Sequence, residues 1–371
     1  MRFGIDGRYI RDSYPGIGRY AYHLFEALLG LESDDEWWVL YDPAAEDSRF
    51  SLEGLESREG LHLVPSATPV RSWREQAQLP RLLADLALDL FHTPFHLYPY
   101  LTGIPSISTV HDVIPMAFPS GFSVRSRWIF RIATQLALWR SRRIIAPSKS
   151  TARALDSRFA GSARKIAVIR EGVDARFRPV ESDVVDEIRS RHRLPERYYL
   201  SVGIDSAHKN LRFLVETYAR LGSAPPLALA GAPDPRYTGT RRAVEELGLA
   251  DRVIFLGAVA EEDLPGLYSG AEVFLHPSLH EGFGLPVLEA MASGAPVICS
   301  DASSLPEVVG DAGTLIPPDD SAGWSAAIER LSDDPELREW MAQQGLVQAG
   351  AFTWRRAAVE TRNLYDQALD T

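Results

Sequence analysis

The stretch Glu281–Glu289, reading EGFGLPVLE, indicates both the fold class and the position of a ligand site. It follows the apolar run Glu272–Ser278 (EVFLHPS), which is typical of a short buried strand, and it continues into a helical pattern. Glycines let the backbone approach a ligand, and the amides at a helix N-terminus point at negative charge. The carboxylates of Glu281 and Glu289 flank this turn and can accept hydrogen bonds from paired hydroxyl groups. The pattern therefore predicts a site for a nucleotide-sugar.

The length and composition bound the class of protein. The chain has 371 residues, of which 45% are hydrophobic and 24% are charged, so we expect two globular domains. Cys299 is the only cysteine, which excludes an intrachain disulfide and fits a reducing compartment. The chain begins with a strand pattern rather than a signal peptide, and no apolar run is long enough to span a bilayer. We therefore expect a cytoplasmic protein.

Charge is distributed unevenly along the chain. The formal net charge is −11, but residues 1–180 contain 23 Lys and Arg against 20 Asp and Glu, whereas residues 181–371 contain 16 against 30. Within the first part, Val113 to Arg170 holds twelve basic residues and one acidic residue. An acidic protein with one basic region usually binds an anionic partner there. No nucleic-acid motif is visible and the net charge is strongly negative, so we expect no nucleic-acid partner.

The helical stretch from Ser123 to Arg143 interleaves arginines with aromatic residues, and two interpretations remain open. The helix either lies on an anionic membrane surface, or packs on a sheet with its aromatic residues in the core and its arginines in water. The first interpretation predicts peripheral contact with the inner face of the plasma membrane. The residues concerned are Arg125, Arg127, Arg131, Arg140, Arg142 and Arg143, together with Trp128, Phe130 and Trp139.

Alternating strand and helix patterns predict two parallel sheets with right-handed crossovers. In the first half, the expected strands are 2–6, 37–41, 61–64, 89–92, 106–110 and 143–146, and the expected helices are 18–30, 75–86, 122–141 with a break near 134, and 149–157. In the second half, the expected strands are 198–202, 226–230, 252–256, 272–275, 296–299 and 314–316, and the expected helices are 209–221, 239–247, 262–268, 285–293, 322–333 and 335–349. The boundary between the two sets falls between Gly172 and Tyr198.

Three further segments carry residues suited to ligand binding. Gly16 and Gly18 follow the first strand, so they form either a glycine loop whose amides face a diphosphate or only a turn. Lys209 follows the first strand of the second set, where its ammonium group can bind phosphate or lie in water at a helix start. His111 ends a strand, and the carboxyl ends of parallel strands face a ligand crevice. His92 and His96 end another strand and either line an acceptor site or are structural.

The region from about Val253 to Leu315 resembles the retaining GT-B glycosyltransferases of group 1, family 4, whose signature is two glutamates separated by seven residues. Glu281 and Glu289 have that spacing, and the match continues through Ala292–Ile298 (ASGAPVI) and Ser303–Val309 (SSLPEVV). The resemblance implies the GT-B fold of the α/β class, with two Rossmann-like doubly wound domains and an interdomain cleft.

The same resemblance implies how the chain is divided. Residues 1–175 are expected to form an N-terminal acceptor-side domain, and 176–353 a C-terminal domain that binds the nucleotide-sugar. Phe352–Trp354 resembles the family signature that precedes the last helix, so 354–371 is expected to return to the first domain.

The activity implied is transfer of a hexose from a nucleotide-sugar to an acceptor hydroxyl with retention at the anomeric carbon. The family is thought to react by front-face attack with the leaving phosphate as base, so no enzyme nucleophile is expected. The nucleotide-sugar is a substrate, no cofactor is expected, and no Asp-x-Asp metal site is visible. The sequence is most similar to bacterial mannosyltransferases of surface polysaccharide synthesis, which implies GDP-mannose as donor and a glycan or lipid-linked glycan as acceptor.

The resemblance assigns a role to each candidate residue. Glu289 holds the ribose hydroxyls; Glu281 and the amides near Phe283, Gly284 and Leu285 position the hexose; Lys209 with Gly16 and Gly18 stabilises the diphosphate; and His111 contacts the sugar.

The chain departs from the family pattern at one position. The family arginine that accompanies the lysine is absent, since Ile204 and His208 occupy its usual places. His208 can replace it only as an imidazolium or as a neutral N–H donor. A nucleotide-sugar epimerase, a phosphorylase and a nucleotide-sugar-binding protein without turnover remain alternatives.

Overall fold

The computed structural model describes residues 1–45, 49–50 and 58–370, and these divide into two compact units. Unit 1 comprises Met1–Gly172 with Thr353–Thr371, and unit 2 comprises Val173–Phe352. The domain boundaries expected at 175 and 353 lie a few residues from these divisions. In the described parts of the chain, every helix is too short or too polar to cross a membrane.

Unit 1 contains a parallel sheet in which the first and fourth strands lie side by side. Its described strands are β1 (Arg2–Asp6), β2 (Glu36–Tyr41), β3 (Leu61–Pro65), β4 (Leu90–Thr93), β5 (Ser106–Thr109), β6 (Arg143–Ala146) and β7 (Ile166–Val168). Their order is β3-β2-β1-β4-β5-β6-β7. The central strands are buried on both faces, as expected for a parallel sheet covered by helices. The sequence analysis did not predict strand β7, a three-residue, half-buried strand at the edge of the sheet.

The helices of unit 1 follow its strands. Those described are α1 (Pro15–Leu29), α2 (Trp73–Asp85), α3 (Ile114–Ala117), α4 (Val124–Arg140), α5 (Lys149–Arg158) and α14 (Trp354–Leu369). The predicted break near residue 134 is wrong, because α4 runs continuously through the buried Thr134. Thr353 caps α14 by accepting a hydrogen bond from the Arg356 amide, and α14 shares a hydrophobic core with α1.

Unit 2 repeats the same arrangement. Its described strands are β8 (Tyr199–Val202), β9 (Leu227–Ala230), β10 (Val253–Gly257), β11 (Val273–His276), β12 (Val297–Ser300) and β13 (Thr314–Ile316), in the order β10-β9-β8-β11-β12-β13. Renumbered within each unit, both orders contain the Rossmann sequence 3-2-1-4-5-6. The prediction of two doubly wound α/β sheets is therefore confirmed.

Helices cover the sheet of unit 2. Those described are α6 (Ser182–Arg191), α7 (Leu211–Tyr218), α8 (Gly239–Glu246), α9 (Leu264–Ser269), α10 (Leu285–Ala292), α11 (Leu305–Val309), α12 (Ser321–Asp333) and α13 (Pro335–Ala349). The predicted helix 209–221 is shorter than expected, because Asn210 has a left-handed backbone (φ 58°) that separates Lys209 from α7. The prediction omitted α11. This helix has only five residues, one of them Pro306, so it is too short to show the hydrophobic period of a helix.

Candidate functional site

The candidate site of unit 2 lies where the strand order reverses. β8 pairs with β11, and the chain continues from their carboxyl ends into the segments 203–210 and 277–284. In doubly wound sheets, ligands bind in the crevice outside the carboxyl ends at this point. The local fold therefore brings Lys209, which follows β8, next to Glu281, which follows β11.

Glu281 forms the centre of this cluster. Its Oε1 accepts a hydrogen bond from Lys209 Nζ at 2.7 Å and contacts His276 Nε2 at 2.8 Å. Burial opposes ionisation of Glu281, yet the Lys209 ammonium and the His276 contact hold its pKa well below the usual range. The site therefore contains a carboxylate that is ionised at neutral pH and is paired with the Lys209 ammonium.

Two serines hold the backbone of the Glu281 loop. Ser303 Oγ and Ser304 Oγ donate to the Glu281 carbonyl at 2.7 and 3.0 Å, and Ser304 Oγ also lies 2.6 Å from the Phe283 carbonyl. The Phe283 ring is buried against Phe352, with ring centroids 5.9 Å apart. Only the backbone of Phe283 can therefore contact a ligand, as its expected role requires.

Gly284 opens helix α10 in a conformation that favours glycine. Its φ is +116°, and a Cβ at this position would lie 2.9 Å from Leu305 Cδ2. Leu285 is the first helical residue, and Pro286 follows it in the first turn. The first amides of a helix have no acceptor within it, so those near Gly284 and Leu285 can donate to an anion or a hydroxyl.

Glu289 lies on α10 and is only 2% exposed. Tyr268 Oη donates a hydrogen bond to its Oε2 at 3.0 Å. Sequence analysis missed Tyr268, just as it gave no role to His276, because a tyrosine in an apolar helix and a histidine at a strand end carry no distinctive pattern. The two glutamates of the signature thus each have a side chain that fixes their orientation.

Ile204 and His208 occupy the usual places of the family arginine that this chain lacks. Ile204 is exposed, and His208 Nδ1 lies 3.2 Å from Ser206 Oγ. Burial and the neighbouring Lys209 ammonium lower the pKa of His208 to about 4. At neutral pH His208 therefore has a neutral ring, which leaves the N–H donor as the form in which it can replace the arginine.

His111, in unit 1, is anchored within that unit. Its Nε2 donates to the Pro94 carbonyl at 2.9 Å, its Nδ1 lies 3.3 Å from Glu171 Oε1, and its ring packs edge-on against Tyr20. Asp112 accepts from the Ile114 amide at 2.8 Å and so caps the following turn. A contact between His111 and a sugar stays a prediction, and it requires one of these ring contacts to be exchanged.

The expected glycine loop of unit 1 is wrong in its local structure. Gly16 and Gly18 lie in the first turns of α1, which begins at Pro15 because proline is favoured at the first helical position. Gly18 lets the backbone of α1 approach the backbone at Tyr9, since a Cβ at Gly18 would lie 2.9 Å from the Tyr9 carbonyl oxygen. Their amides are at a helix N-terminus, which favours anions, and a role toward a diphosphate stays a prediction.

The two remaining histidines of unit 1 lie in the interior. His92 Nδ1 lies 2.7 Å from Tyr365 Oη and its Nε2 lies 3.0 Å from Thr109 Oγ1, so it joins α14 to the sheet. The ring of His96 packs between those of Phe95 and Phe130. Burial lowers the pKa of both imidazoles to about 3. These contacts favour the structural interpretation for His92.

A metal centre is not evident among the side chains that the structure describes, since no group of three or more His, Cys, Asp or Glu residues there could hold an ion. The expectation of metal-independent chemistry remains a prediction.

Comparison with solved structures identifies the fold. HepE from Anabaena, solved in complex with UDP and glucose, superimposes with a TM-score of 0.78 at 20% identity and covers 99% of this chain and 100% of its own. At this identity the likeness shows the fold alone. Together with the strand orders of the two sheets, it identifies the GT-B fold.

Sequence comparison identifies the family. Residues 14–177 match Glycosyltransferase Family 4, and residues 184–347 match Glycosyl transferases group 1. The chain therefore belongs to the group 1 glycosyltransferases of family 4, which are retaining enzymes, and the predicted resemblance is confirmed.

Curated relatives with named activities are also similar to this chain. The O-antigen chain mannosyltransferase RfbU of Salmonella typhimurium is 29% identical, with 66% of this chain and 65% of the relative covered. The MMP alpha-(1->4)-mannosyltransferase of Mycolicibacterium hassiacum is 30% identical, with 72% and 66% covered. The chain spans less than two thirds of the length of the first curated relatives it matches, from 45% to 65%.

Proposed function

We propose that this protein transfers a hexose from a nucleotide-sugar to a hydroxyl group of an acceptor, with retention at the anomeric carbon. The observation that supports this most strongly is the Lys209–Glu281 pair at the strand-order reversal of unit 2, with Glu289 two turns further on. A cation for phosphate and two ionisable carboxylates for hydroxyl groups are the chemistry that a sugar nucleotide requires.

The role of Lys209 follows from its surroundings. Its side chain lies against Gly203, where a Cβ would meet Lys209 Cε at 3.4 Å, and its ammonium contacts Glu281. A donor diphosphate carries more negative charge than one carboxylate, so it would draw the ammonium from Glu281. Negative charge on the leaving phosphate grows as the bond to the sugar breaks, and Lys209 stabilises that charge.

The reaction balances without an enzyme nucleophile. The acceptor oxygen forms a bond to the anomeric carbon as the bond from that carbon to the phosphate oxygen breaks. The acceptor proton passes to the leaving phosphate. Glu281 and the amides of the Gly284 turn hold the hexose, and Glu289 accepts hydrogen bonds from the ribose.

For the donor, the proposal is GDP-mannose. The support is the similarity to named mannosyltransferases in both relatives described above. The HepE structure contains UDP, so the fold itself is compatible with another nucleotide. A binding screen with GDP, UDP, ADP and their sugars decides this point.

For the acceptor, the proposal is a glycan or a lipid-linked glycan that is extended in the cytoplasm, at the inner face of the plasma membrane. Its support is the similarity to O-antigen enzymes and the basic character of residues 113–170.

The test uses Glu289→Gln. A carboxylate that accepts two ribose hydroxyls contributes on the order of 1.5–3 kcal/mol, so calorimetry should show nucleoside diphosphate binding weakened about tenfold or more, with or without the sugar. Glu329→Gln on α12 is the matched control, because Glu329 is exposed and lies outside the site. Unchanged nucleotide affinity of the Glu289 variant would reject the proposed role.

A second candidate is a nucleotide-sugar-binding protein that has lost turnover. The observation that favours it is the exposed Ile204 and the neutral His208 at the place of the family arginine. Slow hydrolysis of the bound donor, or transfer to an added acceptor, would exclude it. An epimerase would instead change the sugar without any acceptor.

A further inference from the structure

Helix α4 presents an apolar stripe to solvent. Val124, Trp128 and Ile132 are spaced by four residues and Trp139 follows Ile132 by seven, so all four lie on one face. Their exposed fractions lie between 55% and 68%. Large apolar side chains on the outward face of a helix are unusual in a water-exposed surface, and a contiguous group of them marks an interaction site.

Arginines border this stripe on both sides. Arg127 and Arg131 lie on one flank and Arg125 on the other, and all three are exposed. The helix contains no Asp or Glu along its whole length, Val124–Arg140. A helix with an apolar face, arginine borders and no acid fits the boundary between the headgroups and acyl chains of an anionic bilayer.

Another exposed apolar residue of unit 1 is Leu101, in the loop that Arg140 of α4 contacts. Arg140 Nε donates to the Tyr100 carbonyl at 2.7 Å, which fixes α4 beside Leu101, and Leu101 is 73% exposed. The Arg140 guanidinium also lies over the Trp139 ring at 5.6 Å. Arg140 therefore holds the C-terminal end of α4 against the loop that contains Leu101.

The structure contradicts one part of the core-packing interpretation of this helix, namely that its aromatic residues all lie in the core. Phe130 alone of the three aromatic residues packs inward, on the ring of His96. Trp128 and Trp139 point into solvent, so they are not core residues.

We propose that the surface formed by α4 and Leu101, here called the α4 face, docks unit 1 on an anionic phospholipid bilayer. Trp128, Ile132, Trp139 and Leu101 enter the interfacial region, while Arg125, Arg127 and Arg131 bind lipid phosphates. This docking does not depend on the donor chemistry proposed above, because it uses none of the residues of the unit 2 site.

The first test is co-sedimentation with vesicles of phosphatidylcholine, with and without phosphatidylglycerol. Each arginine near an anionic surface contributes about a fivefold change in affinity, so changing Arg125, Arg127 and Arg131 to Ser should weaken binding on the order of 100-fold. The control changes Arg220, Arg242 and Arg330 of unit 2 to Ser, which removes the same charge from exposed positions elsewhere. We expect the control to sediment like the wild type. Binding of the wild type should fall steeply as salt is raised.

The second test follows tryptophan fluorescence. Wild-type emission should shift to shorter wavelength on anionic vesicles, and the double variant Trp128→Ser, Trp139→Ser should lose most of this shift. Trp340→Ser is the matched control, since Trp340 is 53% exposed on α13 of unit 2. Nucleotide affinity should be unchanged in every variant, which separates failure of this proposal from failure of the proposed function.

Three results would overturn the proposal. The first is that the wild type fails to sediment with anionic vesicles at low salt. The second is that it sediments equally with neutral vesicles. The third is that the triple arginine variant binds as well as the wild type. Concentration-dependent self-association without vesicle binding would instead assign the α4 face to a contact between copies of this chain.

Discussion

Lys209 is held by Glu281 in the structure, and this pairing shapes what a substitution does. Removing the ammonium leaves Glu281 with His276 as its described partner and takes away the cation that opposes developing phosphate charge. We predict that Lys209→Ala lowers kcat by on the order of 100-fold or more while donor affinity falls less, because the charge on the leaving group is largest in the transition state. Steady-state kinetics and donor calorimetry measure the two effects separately.

Lys209→Arg is the control for this prediction. It keeps the positive charge but not the compact ammonium geometry, so it should retain a substantial part of the activity. A Lys209→Ala enzyme with wild-type kcat would remove Lys209 from the mechanism.

His208 gives a pH prediction at the same scale. Its pKa is lowered to about 4, so the ring is protonated in the folded protein only as the pH falls through about 4. An ordinary histidine has a pKa of about 6.5. We therefore expect a plot of nucleoside diphosphate affinity against pH to show the same slope between pH 5 and 8 in the wild type and in His208→Gln.

His208→Arg extends this test. It restores a permanent charge at the family position, so turnover should be maintained or raised. A loss of donor affinity in the wild type centred near pH 6.5 that is absent in His208→Gln would show that His208 acts as an imidazolium.

At the scale of elements, the turn into α10 carries the strictest backbone requirement in the site. An alanine at Gly284 must adopt a positive φ and also meet Leu305 Cδ2 at 2.9 Å. We predict that Gly284→Ala lowers the free energy of unfolding by about 2–4 kcal/mol, from the backbone cost and from overpacking. Denaturant unfolding measures the change.

Gly248→Ala separates these two causes. Gly248 also has a positive φ, +65°, but its added Cβ would meet nothing within 4 Å. It should cost about 1–2 kcal/mol, the backbone part alone. Equal losses in both variants would mean that the contact with Leu305 does not constrain this turn.

The elements also show what a sequence can and cannot predict. Glu281–Glu289 identified the strand, turn and helix around α10 because glycine, proline and paired glutamates have position-specific roles. The glycine loop at Gly16 was wrong because proline at a helix start and a glycine turn leave the same local signal. Tyr268 and His276 were not assigned, since a tyrosine in an apolar helix and a histidine at a strand end do not show in the sequence that each contacts a signature glutamate. Trp128 and Trp139 could not be placed because periodicity does not say which face of a helix is covered.

At the scale of the whole molecule, a single chain forms two sheets that share the strand order 3-2-1-4-5-6. The two halves of the chain differ in net charge. The basic residues concentrate in 113–170 of unit 1, whereas residues 181–371 have fourteen more acidic than basic residues, 30 against 16. The nucleotide-sugar site proposed for unit 2 and the α4 face of unit 1 use separate sets of residues. A variant can therefore lose one property and keep the other, and each proposal is open to an independent test.

The central claim is hexose transfer with retention, and the most direct measurement follows the reaction by NMR. The protein is incubated with GDP-mannose and with other nucleotide-sugars, in the presence of a panel of glycan and lipid-linked acceptors. The account predicts release of the nucleoside diphosphate together with a new glycosidic signal whose anomeric configuration is that of the donor, and loss of both in Lys209→Ala. Tight nucleotide-sugar binding without product from any donor, or a product of inverted configuration, would contradict the account.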